Sequence, residues 1–238
     1  MAETVLETEN LTMRFGGVVA ADNVNFKLAA RELRCLIGPN GAGKSTFFKC
    51  LTGLLTPSEG HIFMRGEETT EWHPHEIAAL GVGVKTQVPS VLDGLTVREN
   101  IWLAARRRNP ASEADRKTSD MIDRLALGGI AKSQVGRLAH GERQQVELGI
   151  VAVADPWLVL LDEPVAGMSA DDVERMVSII RELNRKAAVI IVEHDMQFIR
   201  SIASTVTVFH QGAILVEDDV DRVMSDDTVR RVYLGKKG

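Results

Sequence analysis

The nine residues Gly38-Pro39-Asn40-Gly41-Ala42-Gly43-Lys44-Ser45-Thr46 constrain this chain more than any other feature. They fit G-x-x-x-x-G-K-[ST], a pattern with mechanical meaning only where a strand enters it and a helix leaves it. Both flanks are present. Residues 33–37 form a short apolar run, and residues 46–54 read as a helix stopped by Thr56-Pro57. Glycines let successive backbone N–H groups turn inward around phosphate oxygens. The N-terminus of the following helix adds positive potential. Lys44 supplies a point charge for β- and γ-phosphates, and the Ser45 hydroxyl is available to Mg²⁺.

Around this loop, strand-like and helix-like runs alternate, the pattern of an α/β fold. Residues 5–15 and 24–28 read as strands joined through Gly16-Gly17, residues 60–64 are strand-like, and residues 78–86 contain a further short strand. The middle differs. Residues 97–108 and 112–127 read as helices, the second with Ser112 as N-cap and Gly128-Gly129 as its stop. Few strand signals occur between residues 90 and 155, so this stretch reads as a helical insertion. Residues 158–161 and 189–192 are continuous apolar runs, as buried parallel strands require. The helix between them, residues 170–186, starts after Ser169 with Asp171 and Asp172 in its first turn, which suits the helix dipole. Residues 206–209 and 213–216 read as a hairpin around Gln211-Gly212, and the tail from Asp219 as amphipathic helix.

Composition narrows the function. Of 238 residues, 45% are hydrophobic and 26% charged, enough for a globular core without disulfide or metal support. The net charge of −5 argues against a nucleic-acid partner, which rewards a basic surface. The start carries Glu3, Glu7 and Glu9 and no basic-then-apolar signal pattern. No apolar run approaches the roughly 20 residues of a membrane helix. Cys35 and Cys50 lie in an apolar strand and a helix, reading as small buried hydrophobes rather than a disulfide framework. Arg106-Arg107-Arg108 reads as a solvated helix end, and His61, His73, His75, His140 and His210 show no metal-ligand spacing.

A second chemical element follows the apolar run 158–161, which ends in Asp162-Glu163. Asp162 is placed to hold Mg²⁺, directly or through water, and Glu163 to polarise a water for attack on a γ-phosphate. Alone, two acids after a strand carry little information. Paired with the phosphate loop they define a nucleotide-hydrolysing P-loop site.

The kind of P-loop protein comes from Leu138-Ala139-His140-Gly141-Glu142, upstream of Asp162. Here the chain resembles the ATP-binding subunit of ABC transporters, whose signature reads Leu-Ser-Gly-Gly-Gln. The resemblance runs through essentially the whole chain with the motifs in order. It implies an α/β P-loop NTPase core with a mixed sheet, an N-terminal antiparallel β portion, and a helical subdomain carrying the signature. The core would be residues 1–87 and 156–238, the subdomain residues 88–155. It also implies ATP and Mg²⁺ as ligands, with Ser45, Gln87 and Asp162 toward the metal. Phe15 matches the aromatic that stacks on adenine, Gln87 the Mg²⁺-sensing glutamine, and His194, in Val192-Glu193-His194-Asp195, the switch histidine at the γ-phosphate. The signature residues Leu138 to Glu142 would meet the ATP of a second subunit. Two departures stand out. Ala139 replaces the signature serine, and Ser169 stands where many members have aspartate.

Met13-Arg14-Phe15-Gly16-Gly17 resembles the branched-chain amino acid import subunits. Glu163-Pro164-Val165-Ala166-Gly167-Met168, Val192 to Met196, and Val232-Tyr233-Leu234-Gly235 look more like the urea and short-amide branch of that group. The resemblance therefore implies an importer ATPase, with urea or short amides as the first expectation for solute and branched-chain amino acids as the alternative. It implies transmembrane permease subunits, a homologous second ATPase subunit (a different one, or a second copy), a periplasmic solute-binding protein, and peripheral placement on the cytoplasmic face of the membrane. Rivals of another class are a soluble ABC ATPase acting on DNA or ribosomes and a regulatory ATP-binding module.

Overall fold

The structure, a computed structural model, describes residues 3–234. Gly235, which closes the last segment quoted above, lies outside the described residues. The chain opens with β1 (Thr4–Phe15) and β2 (Val18–Ala29), an antiparallel pair turning at Gly16-Gly17. Then come β3 (Leu33–Ile37), α1 (Lys44–Leu51), β4 (Glu59–Met64), β5 (Glu67–Glu68), α2 (Pro74–Leu80) and β6 (Val82–Lys85). The middle holds α3 (Val97–Arg106), α4 (Ala111–Arg124) and α5 (His140–Val153). The chain continues through β7 (Leu158–Asp162), α6 (Ala170–Asn184), β8 (Ala188–Val192), α7 (Met196–Ile202), β9 (Thr205–His210), β10 (Ala213–Asp219), α8 (Val220–Ser225) and α9 (Asp227–Leu234).

Two sheets form. The first is antiparallel, in the order β2-β1-β4-β5; the second runs β10-β9-β3-β8-β7-β6. In the second sheet only the β9–β10 hairpin is antiparallel. Its parallel strands read as continuous apolar runs because both faces are covered. Alternation assigns the faces. Leu33, Cys35, Ile37, Val159, Leu161, Val189 and Ile191 join one core with α3, α4, α5, α6 and α7. Leu36, Leu158, Leu160, Ala188, Ile190 and Val192 join the other, with α1 and the antiparallel sheet. Phe47 on α1 fastens that second core, packing edge-on against Phe26 at 5.5 Å and tilted against Phe209 at 5.3 Å between centroids. Both cysteines are buried and unpaired.

Several expectations shift. The helix after the phosphate loop starts at Lys44 and ends at Leu51, earlier at both ends than residues 46–54. Ser112 is not an N-cap: α4 begins at Ala111 after Pro110, because the proline fixes an extended entry one residue upstream. Helices α2 and α7 carry no periodic sequence signal of their own. Each is seven residues long, too short for a clear helical period.

Candidate functional site

In an open α/β sheet, ligands bind outside the carboxyl ends of the parallel strands. Here β3, β6, β7 and β8 all end on one edge, and each delivers a candidate residue there. Strand β3 feeds the phosphate loop, β6 leads to Gln87, β7 ends at Asp162 before Glu163, and β8 ends at Val192 before His194. Strand β8 sits between β3 and β7, so the phosphate loop and the acidic pair flank the turn carrying His194.

The loop conformation depends on its glycines. Gly38, Gly41 and Gly43 have φ of 149°, 78° and 105°, in or near conformations that side chains rarely adopt. A Cβ on Gly38 would collide with the Phe209 carbonyl, and one on Gly43 would lie 2.5 Å from the Ala20 carbonyl oxygen. The loop is thus wedged between β2 and the β9–β10 turn. Gly212 N–H donates to the Ala42 carbonyl at 3.0 Å, and Asp22 N–H to the Gly212 carbonyl at 2.8 Å. This bracing by Ala20 and Gly212 involves segments remote in sequence, and no local motif announces it. Gly43 N-caps α1 without a side-chain hydrogen bond, leaving the first-turn N–H groups of Lys44, Ser45 and Thr46 without intrahelical acceptors. Lys44 Nζ arches back over the loop, donating to the carbonyls of Gly38 at 2.6 Å and Pro39 at 3.1 Å. Burial lowers the Lys44 pKa, against the opposing pull of Glu163 and Asp162.

The acidic pair is electrostatically loaded. Burial, then the neighbouring Glu163 charge, pushes Asp162 up to about 6. Glu163 takes a left-handed φ of 45°, its N–H donating to the Val192 carbonyl at 2.9 Å. Its carboxylate meets two of the candidate site residues. Gln87 Nε2 donates to Oε2 at 2.9 Å, and His194 Nδ1 lies 3.5 Å from Oε1. Buried Glu193, which the motif reading passed over, accepts from the backbone N–H groups of His194 at 2.7 Å and Asp195 at 3.2 Å, fixing that turn. Asp195 then N-caps α7.

Three further candidate elements take their places in the fold. Phe15 is 47% exposed and ends β1 opposite Val18, on the hairpin whose second strand braces Gly43. The signature segment opens α5, with Ala139 at the N-cap. The Glu142 carboxylate accepts from Ala139 N–H at 2.9 Å. An alanine methyl returns nothing, so only half of a capping box forms. The segment packs on the turn after Glu163: a Cβ on Gly141 would lie 3.6 Å from the Gly167 carbonyl oxygen. Ser169 N-caps α6, its hydroxyl accepting from Asp172 N–H at 3.3 Å.

The donors suit a nucleoside triphosphate with a hard divalent cation. A braced, glycine-built loop opens a helix N-terminus, a lysine overhangs it, and a hydroxyl and a carboxylate are at hand. Mg²⁺ takes one or two protein oxygens and otherwise water and phosphate. It needs no preformed acidic cage, and none of three or more His, Cys, Asp or Glu occurs among the described residues. Also among them, no helix is long and apolar enough to cross a membrane.

Comparison with known proteins agrees. The family described as ABC transporter matches residues 21–166. The high-affinity branched-chain amino acid transport ATP-binding proteins BraF of Pseudomonas aeruginosa and LivG of Escherichia coli are each 32% identical, over 99% of this chain and 100% of their own. The lipopolysaccharide export system ATP-binding protein LptB of Acidithiobacillus ferridurans is also 32% identical, over 97% of both chains. Among solved structures, MJ1267, an ATP-binding cassette of an ABC transporter, superposes with a TM-score of 0.86 at 27% identity, over 99% of this chain and 100% of that one. From its loop, strand ends and full-length relatives alike, the chain belongs to the ABC transporter family, as an ATP-binding subunit that hydrolyses ATP.

Proposed function

We propose that this chain powers an importer of the branched-chain amino acid type, hydrolysing ATP at the edge where Lys44, Asp162, Glu163, Gln87 and His194 converge. The full-length match to BraF and LivG carries the solute class. The urea and short-amide expectation rests only on short segments such as residues 163–168 and 192–196. The equally similar LptB serves export, so the import direction rests on the named import relatives together with the Met13-to-Gly17 segment.

The residues divide the work. Phe15 stacks on the base. The N–H groups at the start of α1 and Lys44 hold the phosphates. Ser45 and Asp162, with Gln87, hold Mg²⁺, which when bound neutralises charge on the phosphate oxygens. Glu163 takes the proton of the attacking water, and Gln87 orients its carboxylate. His194, two-thirds exposed, is free to turn toward a γ-phosphate. Leu138 to Glu142 face the ATP of a second, homologous subunit, which completes this chain's own site in turn. Residues 88–155 move as the subdomain coupled to the membrane subunits, and a periplasmic binding protein delivers the solute. The chain thereby works on the cytoplasmic face of the membrane.

The test is uptake in source cells carrying Lys44→Ala, with labelled leucine and labelled urea. Loss of leucine uptake alone supports the proposal. Loss of urea uptake alone replaces the solute. Loss of neither refutes both.

A further inference from the structure

Beneath the site lies a buried charge pair that the reaction scheme leaves unused. Lys85, last residue of β6, is wholly buried, and Glu147 on α5 nearly so. Lys85 Nζ stands 3.8 Å from Glu147 Oε2, within ion-pair range but beyond hydrogen-bond length. Such a pair is weak support for a fold, because hydrophobic residues of similar volume stabilise as well or better. Its placement suggests another use. Lys85 pairs with Leu161, one residue before Asp162, and stands two residues before Gln87. Glu147 also accepts the Ser90 N–H at 2.8 Å. Gln144, three residues earlier on the same face of α5, reaches the Gln87 carbonyl at 3.5 Å and the His140 ring at 3.0 Å. Both ends of the segment 85–90 are thus tied to the helix that the signature opens, while the Gln87 side chain between them touches Glu163.

We propose that Lys85 and Glu147 are positioning residues for hydrolysis: they hold the segment 85–90 on α5, so that Gln87 meets the Glu163 carboxylate. The proposal rests on Glu163 as the base. Misplacing a group by about an ångström costs up to a hundredfold in rate, so a slack segment lowers kcat without weakening ATP binding.

The test uses the chain assembled with its membrane subunits. The uncharged pair Lys85→Met/Glu147→Met is expected to keep its Tm and its KM for ATP while kcat falls roughly ten- to a hundredfold. Lys85→Arg, which retains the charge, is expected to retain most turnover. In a Gln87→Ala background the uncharged pair should cost nothing further, because the residue it positions is gone. If the double variant does not fold, Glu147→Gln, which keeps an acceptor for Ser90 N–H, is read in the same two backgrounds. Normal kcat in the folded uncharged pair, or in Glu147→Gln, overturns the proposal, as does an equal loss with and without Gln87. Normal turnover in Glu163→Gln sinks the site assignment instead, so the two failures are distinguishable.

Discussion

Glu163→Gln tests the chemistry most directly. The substitution preserves shape: the amide oxygen still accepts from Gln87 Nε2, now 2.9 Å from the carboxylate. It removes one charge beside Asp162, whose carboxyl stands at about 6 partly because Glu163 is there. Losing that repulsion relaxes the site, so Tm is expected to hold or rise. ATP affinity should also hold, because a negative charge near the triphosphate is removed and Lys44 is untouched. Turnover alone should collapse. A positioned general base contributes about 10²–10⁴ in rate, equivalent to about 2.7–5.5 kcal/mol of barrier. The assay is phosphate release by the assembled transporter at saturating ATP, beside equilibrium ATP titration of the same preparation. Unchanged phosphate release would refute the assignment of the base. A parallel loss of binding and turnover would refute it differently, making Glu163 a phosphate-site residue rather than the proton acceptor.

The remaining predictions read other parts of the structure. Gly43→Ala should abolish measurable ATP binding, since the new Cβ meets the Ala20 carbonyl in a left-handed conformation; a normal ATP titration would contradict the bracing argument. Asp162 is raised in the fold, so its contribution is full below pH 3.8 and lost as pH rises through about 6. Asp162→Asn should therefore stabilise the nucleotide- and Mg²⁺-free protein more at pH 7.5 than at pH 5, as read by urea unfolding, while abolishing turnover. Cys35 and Cys50 are buried with thiols pushed up, Cys50 to about 11. Neither should react with a thiol reagent in native buffer, and both should react in denaturant. Phe47→Ala should cost about 3–5 kcal/mol in unfolding, because the ring is wholly buried against Phe26 and Phe209.

The elements legible in the sequence were those specified locally. The run 33–37 followed by Gly38-to-Thr46 fixes a strand, a left-handed glycine turn and a helix, because those backbone conformations depend on the residues themselves. The apolar runs before Asp162 and Glu193 announce buried parallel strands, since both faces must be covered. The Gln211-Gly212 turn, with φ of 50° and 86°, appears where the hairpin was expected. The short helices α2 and α7 are illegible in the sequence because one or two turns carry no readable period. Ser112 failed as a cap because Pro110 already sets the entry.

What the tertiary structure decided is which of these residues meet. The strand order, with β8 between β3 and β7, gathers Lys44, Asp162, Glu163 and His194 on one edge from three separate parts of the chain. Gly212 braces the phosphate loop from more than a hundred residues downstream, and Lys85 finds Glu147 on the last helix of the insertion. Sequence motifs specify local backbone geometry and the chemistry of single side chains. Contacts between remote segments follow from sheet order and packing, which depend on the burial of the whole chain at once. The sequence alone determined that this chain handles a phosphate-bearing nucleotide; only the fold decided that Gln87 and His194 converge on Glu163, and that a buried charge pair stands behind them.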